Sequence, residues 1–111
     1  MRTKDDRRAQ RPAVFEWDPA KAAANLAKHE VSFEEAETTF DDPVAVDAPD
    51  LVHSITEQRM RHLGRSAADA VLMVVYTVRK KAHDQEAIRI ISARRANRAE
   101  RATYWALAEE D

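Results

Sequence analysis

The chain has 111 residues, no cysteine and a formal net charge of −2 at pH 7. This length predicts one domain with a single modest core, and the lack of cysteine excludes disulfide frameworks and cysteine-based zinc sites. The longest apolar run, 70–76, is too short to span a bilayer. Residues 1–13 contain no apolar segment of the kind found in signal peptides. We therefore expect a cytoplasmic protein with no membrane partner.

The charges are segregated along the chain. Residues 12–56 carry two basic and ten acidic side chains, whereas residues 57–101 carry eleven basic and five acidic ones. Such segregation indicates a basic surface formed by the second half, and phosphate groups of nucleic acid are its obvious partner. An acidic partner protein would fit that surface equally well, and strand pairing between the two halves would blur the polarity in space.

The first predicted elements follow a polar tail over residues 1–13. A short strand over 14–17 leads into a helix over 19–29, for which Asp18 is a good N-cap. Pro19 then occupies the first helical position, where its missing N–H costs nothing. This start signal makes the first helix the best-defined element of the N-terminal half.

The first helix carries polar side chains at helical spacing. Lys21, Asn25, Lys28 and His29 fall at i, i+4, i+7 and i+8, which places them on one face. The alanines expected to pack inward are Ala20, Ala23, Ala24 and Ala27. Two ammonium groups, an amide and an imidazole on one face indicate an anion-handling surface, although an ordinary solvated face fits the same spacing.

The remaining elements are helices with recognisable caps and strands of a meander. Ser32 and Glu35 form a capping box for a helix over 33–40. Asn97 and Glu100 form a similar pair for a last helix. Its predicted inward stripe is Ala99, Ala102, Thr103 and Ala106. The predicted strands are 44–48, 57–63, 70–78 and 88–93, with a turn at Gly64–Ser66 and with 70–78 buried on both faces.

These elements predict an α+β fold in which helices pack on a mostly antiparallel four-stranded sheet. Their order along the chain is β-α-α-β-β-β-β-α. We expect a flexible basic tail over 1–13, a single domain over 14–107 and an acidic tail over 108–111.

Several strings of this sequence occur together in one known family. The run 15–43, FEWDPAKAAANLAKHEVSFEEAETTFDDP, resembles the opening of the BrnT family, the toxin half of a bacterial type II toxin–antitoxin pair. The resemblance continues at 57–59, 63–64, 74–79, 89–96, 100–101 and Tyr104. It covers residues 15–105 in the same order. The sequence departs from the family in its basic tail before Phe15 and its acidic tail after Leu107.

The resemblance implies a RelE-like fold and a metal-independent endoribonuclease that inhibits translation. It also implies neutralisation by a cognate BrnA-type antitoxin, with operator DNA bound only through the toxin–antitoxin complex. No cofactor is expected. The histidines share no short spacing, and the acidic residues lack the pattern of a calcium loop, so no metal site is expected either.

Cleavage of RNA without a metal requires a base, an acid and cations that stabilise the phosphorane. The catalytic candidates are Lys28, His29, Arg59, Arg79 and Arg94. The candidates for RNA contacts are Lys21, Arg61, Arg89, Arg101 and Tyr104. Arginine suits the phosphate because its fork stays charged and grips two oxygens, and His29 is the preferred acid or base. We expect Arg79 and Arg94 near one rim of the sheet, since each ends a strand.

Each of these residues also has an ordinary structural explanation. The arginines suit strand ends and edges, His29 suits a helix C-cap, Glu100 is foremost a cap, and Tyr104 suits packing against the sheet. His53, His62 and His83 are interpreted as loop or surface residues. A non-catalytic RNA- or protein-binding module is therefore the main alternative function. A DNA-binding regulator is a weaker one, because no recognition helix stands out.

Overall fold

The structure is a computed structural model that describes residues 14–54 and 56–109. Its strands are β1 Val14–Glu16, β2 Val46–Pro49, β3 Met60–Arg65, β4 Val71–Lys80 and β5 Glu86–Arg95. Its helices are α1 Pro19–His29, α2 Phe33–Thr38 and α3 Arg98–Glu109, with 3-10 turns at Thr39–Asp41 and Ala82–Asp84. The predicted element order is confirmed. The predicted tail over 1–13 lies outside the described residues, and α3 extends to Glu109.

The strands form one sheet in the order β1-β5-β4-β3-β2. Neighbouring strands are antiparallel except that β1 pairs in parallel with β5, where Val14 lies opposite Ala87. The prediction of a four-stranded sheet is therefore wrong by one strand. A three-residue strand carries too short a pattern to reveal which distant strand it will join.

The sheet separates two hydrophobic layers because side chains alternate along each strand. On one face Leu72, Val74 and Tyr76 of β4 pack with Val31 and Phe33, beneath α1 and α2. On the other face lies a smaller cluster with Tyr104 of α3 at its centre; its other members are Leu63, Val71, Met73 and Ala96. Most of β4 is buried, as predicted for the central strand, but α3 covers only part of its own face.

Helix α1 begins as the sequence predicts, with the Asp18 carboxylate accepting from the Ala20 N–H at 2.8 Å. Its inward face is not the alanine stripe, since the four alanines predicted to pack inward are all exposed. The buried residue is Asn25, with Ala22 and His29 half-buried beside it. The predicted polar face is thus divided between the core and solvent. The amide of Asn25 can be buried because it finds backbone hydrogen-bond partners there.

The amide of Asn25 joins α1 to the sheet. Its Nδ2 donates to the carbonyls of Val31 at 3.0 Å and Ala93 at 2.8 Å, and its Oδ1 accepts from the Ala93 N–H at 3.1 Å. The two bonds to Ala93 satisfy backbone groups of β5, and the third satisfies the carbonyl of Val31 after α1.

The other two helix starts also follow the sequence. Ser32 Oγ accepts from the Glu35 N–H at 2.9 Å, and Asn97 and Glu100 each accept from the other's N–H at 2.8 Å. The predicted inward stripe of α3 is wrong, since Ala99, Ala102, Thr103 and Ala106 are exposed. Tyr104 points inward instead, because one large ring fills the space above the sheet better than several methyl groups.

Gly64 lies inside β3 and not in the predicted turn, which spans Ser66–Ala70. A Cβ at residue 64 would lie 3.0 Å from His62 Nε2 and 3.1 Å from the Thr39 carbonyl oxygen. The glycine is therefore required by a close approach of neighbouring groups and not by a turn.

Candidate functional site

Five arginines of the second half share one face of the sheet, the face that carries α3. Arg61 lies opposite Val75, Arg94 opposite Met73 and Arg89 opposite Thr77, and these β4 residues all alternate away from the α1 side. Arg79 has the same parity as these residues on β4. Arg59 immediately precedes β3 and shares the carboxylate of Glu57 with Arg79. We call this surface the arginine face; its members are Arg59, Arg61, Arg79, Arg89 and Arg94.

Two of these arginines surround the carboxylate of Glu100. Arg94 binds it through two nitrogens, with Nη1–Oε1 at 2.8 Å and Nη2–Oε2 at 3.0 Å, and Arg61 Nη2 lies 3.3 Å from Oε2. The bonds from Arg94 lower the pKa of Glu100; burial opposes them, and the Asn97 N–H and Arg61 act in the same direction as Arg94. The same pair raises the pKa of Arg94. The group is a triad of two guanidinium ions around one carboxylate, so it retains a positive charge.

A second, looser triad lies farther along the face. Arg79 Nη2 is 3.4 Å from Glu57 Oε1, and Arg59 Nε is 3.8 Å from Glu57 Oε2. Arg59 Nε is buried and has no hydrogen-bond partner among the described residues. A buried guanidinium N–H without a hydrogen-bond acceptor costs free energy, so this group is suited to donate to an anionic ligand.

A groove of about 530 Å³ lies between these triads, within the range typical of ligand sites. Ten residues line it: Asp50, Val52, His53, Arg59, Arg61, Met73, Val75, Ile91, Ser92 and Arg94. Its floor is apolar, from Met73, Val75 and Ile91, and its rim is cationic. An apolar floor suits an apolar part of a ligand, and a cationic rim suits phosphate groups.

One wall of the groove is the loop between β2 and β3. The Asp50 N–H donates to the Arg59 carbonyl at 2.8 Å, and Ser54 Oγ donates to the Asp50 carbonyl at 2.6 Å. Ser54 Oγ also accepts from the Arg59 N–H at 2.9 Å. Within this loop His53 Nδ1 lies 3.1 and 3.3 Å from the two carboxylate oxygens of Asp50.

Arg79 and Arg94 do not lie at one rim, so that prediction is wrong. Because β4 and β5 are antiparallel, their C-terminal ends point in opposite directions: Arg79 pairs with Ala87, whereas Arg94 pairs with Met73. The two arginines are six strand residues apart, about 20 Å. Arg94 belongs to the groove, and Arg79 reaches it only through Glu57.

Three further residues predicted to contact RNA, Arg89, Arg101 and Tyr104, lie outside the groove. Arg89 lies on the arginine face but pairs with Glu16 at 3.3 Å, near the β1 edge. Arg101 is exposed on α3 and donates to the Ala96 carbonyl at 2.8 Å. Tyr104 is only 1% exposed and donates to Asp42 at 2.6 Å, and burial and this bond raise its pKa to about 12. A ring so enclosed has no free face on which a base could stack.

The remaining candidates lie across the sheet. Lys21 and Lys28 are exposed on α1 and His29 is half-buried at its end, and α1 packs on the opposite side of β5 through Asn25. The central sheet therefore separates these three residues from Arg59, Arg61 and Arg94, and they do not share the groove.

His53 lies in an exposed loop, as predicted, but beside Asp50, for which the sequence predicts no role. Glu100, predicted mainly as a cap, also binds Arg94 and Arg61. The spacing of Asp50 and His53, three residues apart in a loop, was the one visible signal. The pairing of Arg61 with Glu100, 39 residues apart, has no sequence signal because it depends on the register of β3 and the position of α3. The prediction of His62 as a loop or surface residue is wrong, because His62 lies buried inside β3.

No helix among the described residues has the length and apolarity to cross a membrane. Over the same residues, no three histidine or acidic side chains come close enough together to hold a metal ion.

Comparison with known proteins identifies a family and a structural neighbour. The family model described as "Ribonuclease toxin, BrnT, of type II toxin-antitoxin system" matches residues 17–100. The crystal structure of the ribonuclease toxin BrnT of Brucella abortus, solved at 1.1 Å resolution, superposes with a TM-score of 0.55 and 21% identity. The superposition covers 78% of this chain and all of that one. No curated protein sequence matches the chain.

Proposed function

Because the chain belongs to the BrnT family of ribonuclease toxins of type II toxin–antitoxin systems, we propose that it is a metal-independent endoribonuclease whose site is the groove on the arginine face. It cleaves RNA and thereby inhibits translation in the cytoplasm. A BrnA-type antitoxin neutralises it, and operator DNA is bound only by the complex. We also propose that the fold is related to that of RelE-like ribonucleases, as the sequence resemblance implies.

The observation that carries the proposal is the Arg61–Glu100–Arg94 triad at the rim of a groove with an apolar floor. Glu100 fixes both guanidinium groups in place before any ligand binds, so little ordering entropy is lost on binding. Preorganised donors of this kind stabilise charge that develops on phosphate oxygens in the transition state. Arg59, whose Nε has no hydrogen-bond partner among the described residues, adds a donor on the same groove.

The chemistry proposed for this groove is attack of a ribose 2′-oxygen on the adjacent phosphorus with loss of the 5′-oxygen. Arg59, Arg61 and Arg94 bind the phosphate, and Arg79 and Arg89 extend the positive surface along the strand. Lys28 and His29, across the sheet, are not part of this site. The antitoxin is proposed to cover the arginine face, since covering it removes the surface that binds RNA.

The test is induction of this chain alone in bacteria, with growth and total-RNA integrity as readouts. We expect growth arrest and new RNA fragments. Arg94→Lys keeps the positive charge but loses the two hydrogen bonds that position the side chain on Glu100. It should therefore reduce RNA fragmentation by at least about 10²-fold. Arg95→Ala is the matched control, because Arg95 is exposed on the neighbouring position of β5, which faces the other side.

A non-catalytic RNA-binding role is the second candidate, favoured by the composition of the rim. A guanidinium group does not give up its proton, so the arginines alone bind phosphate without moving protons. If the soluble, folded chain binds RNA and leaves growth and RNA intact, this second function replaces the first.

A further inference from the structure

We propose that His53, oriented by Asp50, is the general base of the groove, a role that rests on the proposed ribonuclease function. Among the described residues that line the groove, His53 is the one imidazole, a group that can both accept and release a proton. The three arginines of the rim hold their protons at any working pH, and the hydroxyl of Ser92 needs a base of its own. His53 therefore supplies what the arginines lack.

The contact with Asp50 determines which nitrogen of the imidazole is free. Asp50 is ionised and acts only as an acceptor, so the ring must carry its proton on Nδ1, which lies 3.1 Å from Oδ2. The lone pair is then on Nε2. A carboxylate that fixes the tautomer in this way also stabilises the imidazolium formed after proton transfer.

A general base must be accessible to the substrate, whereas the carboxylate that orients it must be held in place; the exposures of His53 and Asp50 fit these two roles. The side chain of Asp50 is 10% exposed, whereas that of His53 is 65% exposed. Burial acts to raise the pKa of Asp50, but the hydrogen bond and charge of His53, with a smaller contribution from Arg61, lower it overall. The carboxylate thus stays charged and fixed, while the imidazole remains open to a substrate in the groove.

The proposed step balances within the RNA. Neutral Nε2 of His53 takes the proton of the 2′-hydroxyl, the 2′-oxygen bonds to phosphorus and the bond from phosphorus to the 5′-oxygen breaks. Solvent water at the open mouth of the groove protonates the leaving 5′-oxygen, and the imidazolium returns its proton to solvent. The products are a 2′,3′-cyclic phosphate and a 5′-hydroxyl end, with no oxidant, reductant or metal consumed.

The experiment compares purified wild-type chain with His53→Ala, Asp50→Asn and the control His83→Ala, whose histidine lies exposed in the 3-10 turn between β4 and β5. The substrate is a short single-stranded RNA; cleavage is followed by electrophoresis and binding by fluorescence anisotropy. We expect His53→Ala to lower kcat about 10²- to 10⁴-fold while Kd changes less than about threefold. Added imidazole should restore part of its activity. Asp50→Asn should lower kcat with KM preserved, and His83→Ala should match wild type.

Three results would separate failure of this role from failure of the proposed function. Full activity of His53→Ala, with Arg94→Lys inactive, overturns the base assignment and leaves the ribonuclease intact. Loss of RNA binding in His53→Ala, without rescue by imidazole, assigns the residue to binding or folding and overturns its role as base. If wild type itself cleaves no RNA, the proposed function fails, and the base assignment fails with it.

Discussion

Glu100 serves both the fold and the groove. Its side chain accepts from the Asn97 N–H at the start of α3 and holds Arg94 and Arg61 at the rim. The arginines are therefore placed by the same residue that begins the helix, and any change to Glu100 alters folding and site together.

This dual role gives a pH dependence of stability. The bonds from Arg94 hold the pKa of Glu100 below its ordinary value of 4.5, so the unfolded chain binds more protons in that range. The contribution is fully present above about pH 4.5 and is lost as the pH falls through the folded-state pKa.

Urea unfolding between pH 6 and pH 3 measures this effect. Glu100→Gln retains the ability to cap the helix but not the charge, so we expect about 1.5–3 kcal/mol lower stability at pH 6 and a shallower loss in acid. Glu86→Gln, an exposed position at the start of β5, is the control. An equally steep acid loss in Glu100→Gln would assign the pH dependence to other carboxylates.

Residue-scale features were predictable where they are local in sequence. The cap at Asp18 and the pairs Ser32–Glu35 and Asn97–Glu100 each span two or three residues, and all are confirmed by hydrogen bonds. The ion pairs of the arginine face were not predictable, because each depends on where a distant element lies.

At the scale of elements, the attachment of α1 depends on one amide. Asn25→Ala would leave the N–H and carbonyl of Ala93 buried without these partners. We expect a loss of about 2–4 kcal/mol in the free energy of unfolding. Lys28→Ala, exposed on the same helix, should change it by less than about 0.5 kcal/mol, and it should cleave RNA as wild type does.

Asn25→Ala also tests whether α1, on one face of the sheet, affects RNA binding in the groove on the other face. Because α1 lies across the sheet from the groove, the folded fraction of this variant should bind RNA as wild type does. Reduced RNA affinity in Lys28→Ala, with stability unchanged, would instead bring α1 into the functional surface.

Element order and helix starts could be predicted, whereas inward faces and sheet pairing could not. Hydrophobic periodicity fails for α1 and α3 because alanine is nearly neutral as a guide to burial, so one Asn or Tyr decides the face. A lone glycine predicts a turn, but Gly64 lies within β3, where the absence of a Cβ leaves room for the Thr39 carbonyl and the His62 ring.

At the scale of the whole molecule, the segregation of charge along the chain survives folding. The basic second half supplies β3, β4 and β5, which are adjacent in the sheet, so their arginines meet on one face. The carboxylates of Glu16, Glu57 and Glu100 offset part of this charge. The result is a basic surface whose arginines are held in position by ion pairs. Helix α3 lies at one end of this surface, and the loop that contains His53 forms one wall of its groove.

The proposed reaction is cleavage of RNA in this groove through the ribose 2′-hydroxyl, without a metal. The most direct measurement is incubation of the purified chain, in excess EDTA, with an RNA oligonucleotide and with the same oligonucleotide carrying a 2′-deoxy sugar at the cleaved position. We predict cleavage of the first to a 2′,3′-cyclic phosphate, and binding without cleavage of the second. Cleavage of the deoxy substrate at that position, or activity that EDTA abolishes, would contradict the account.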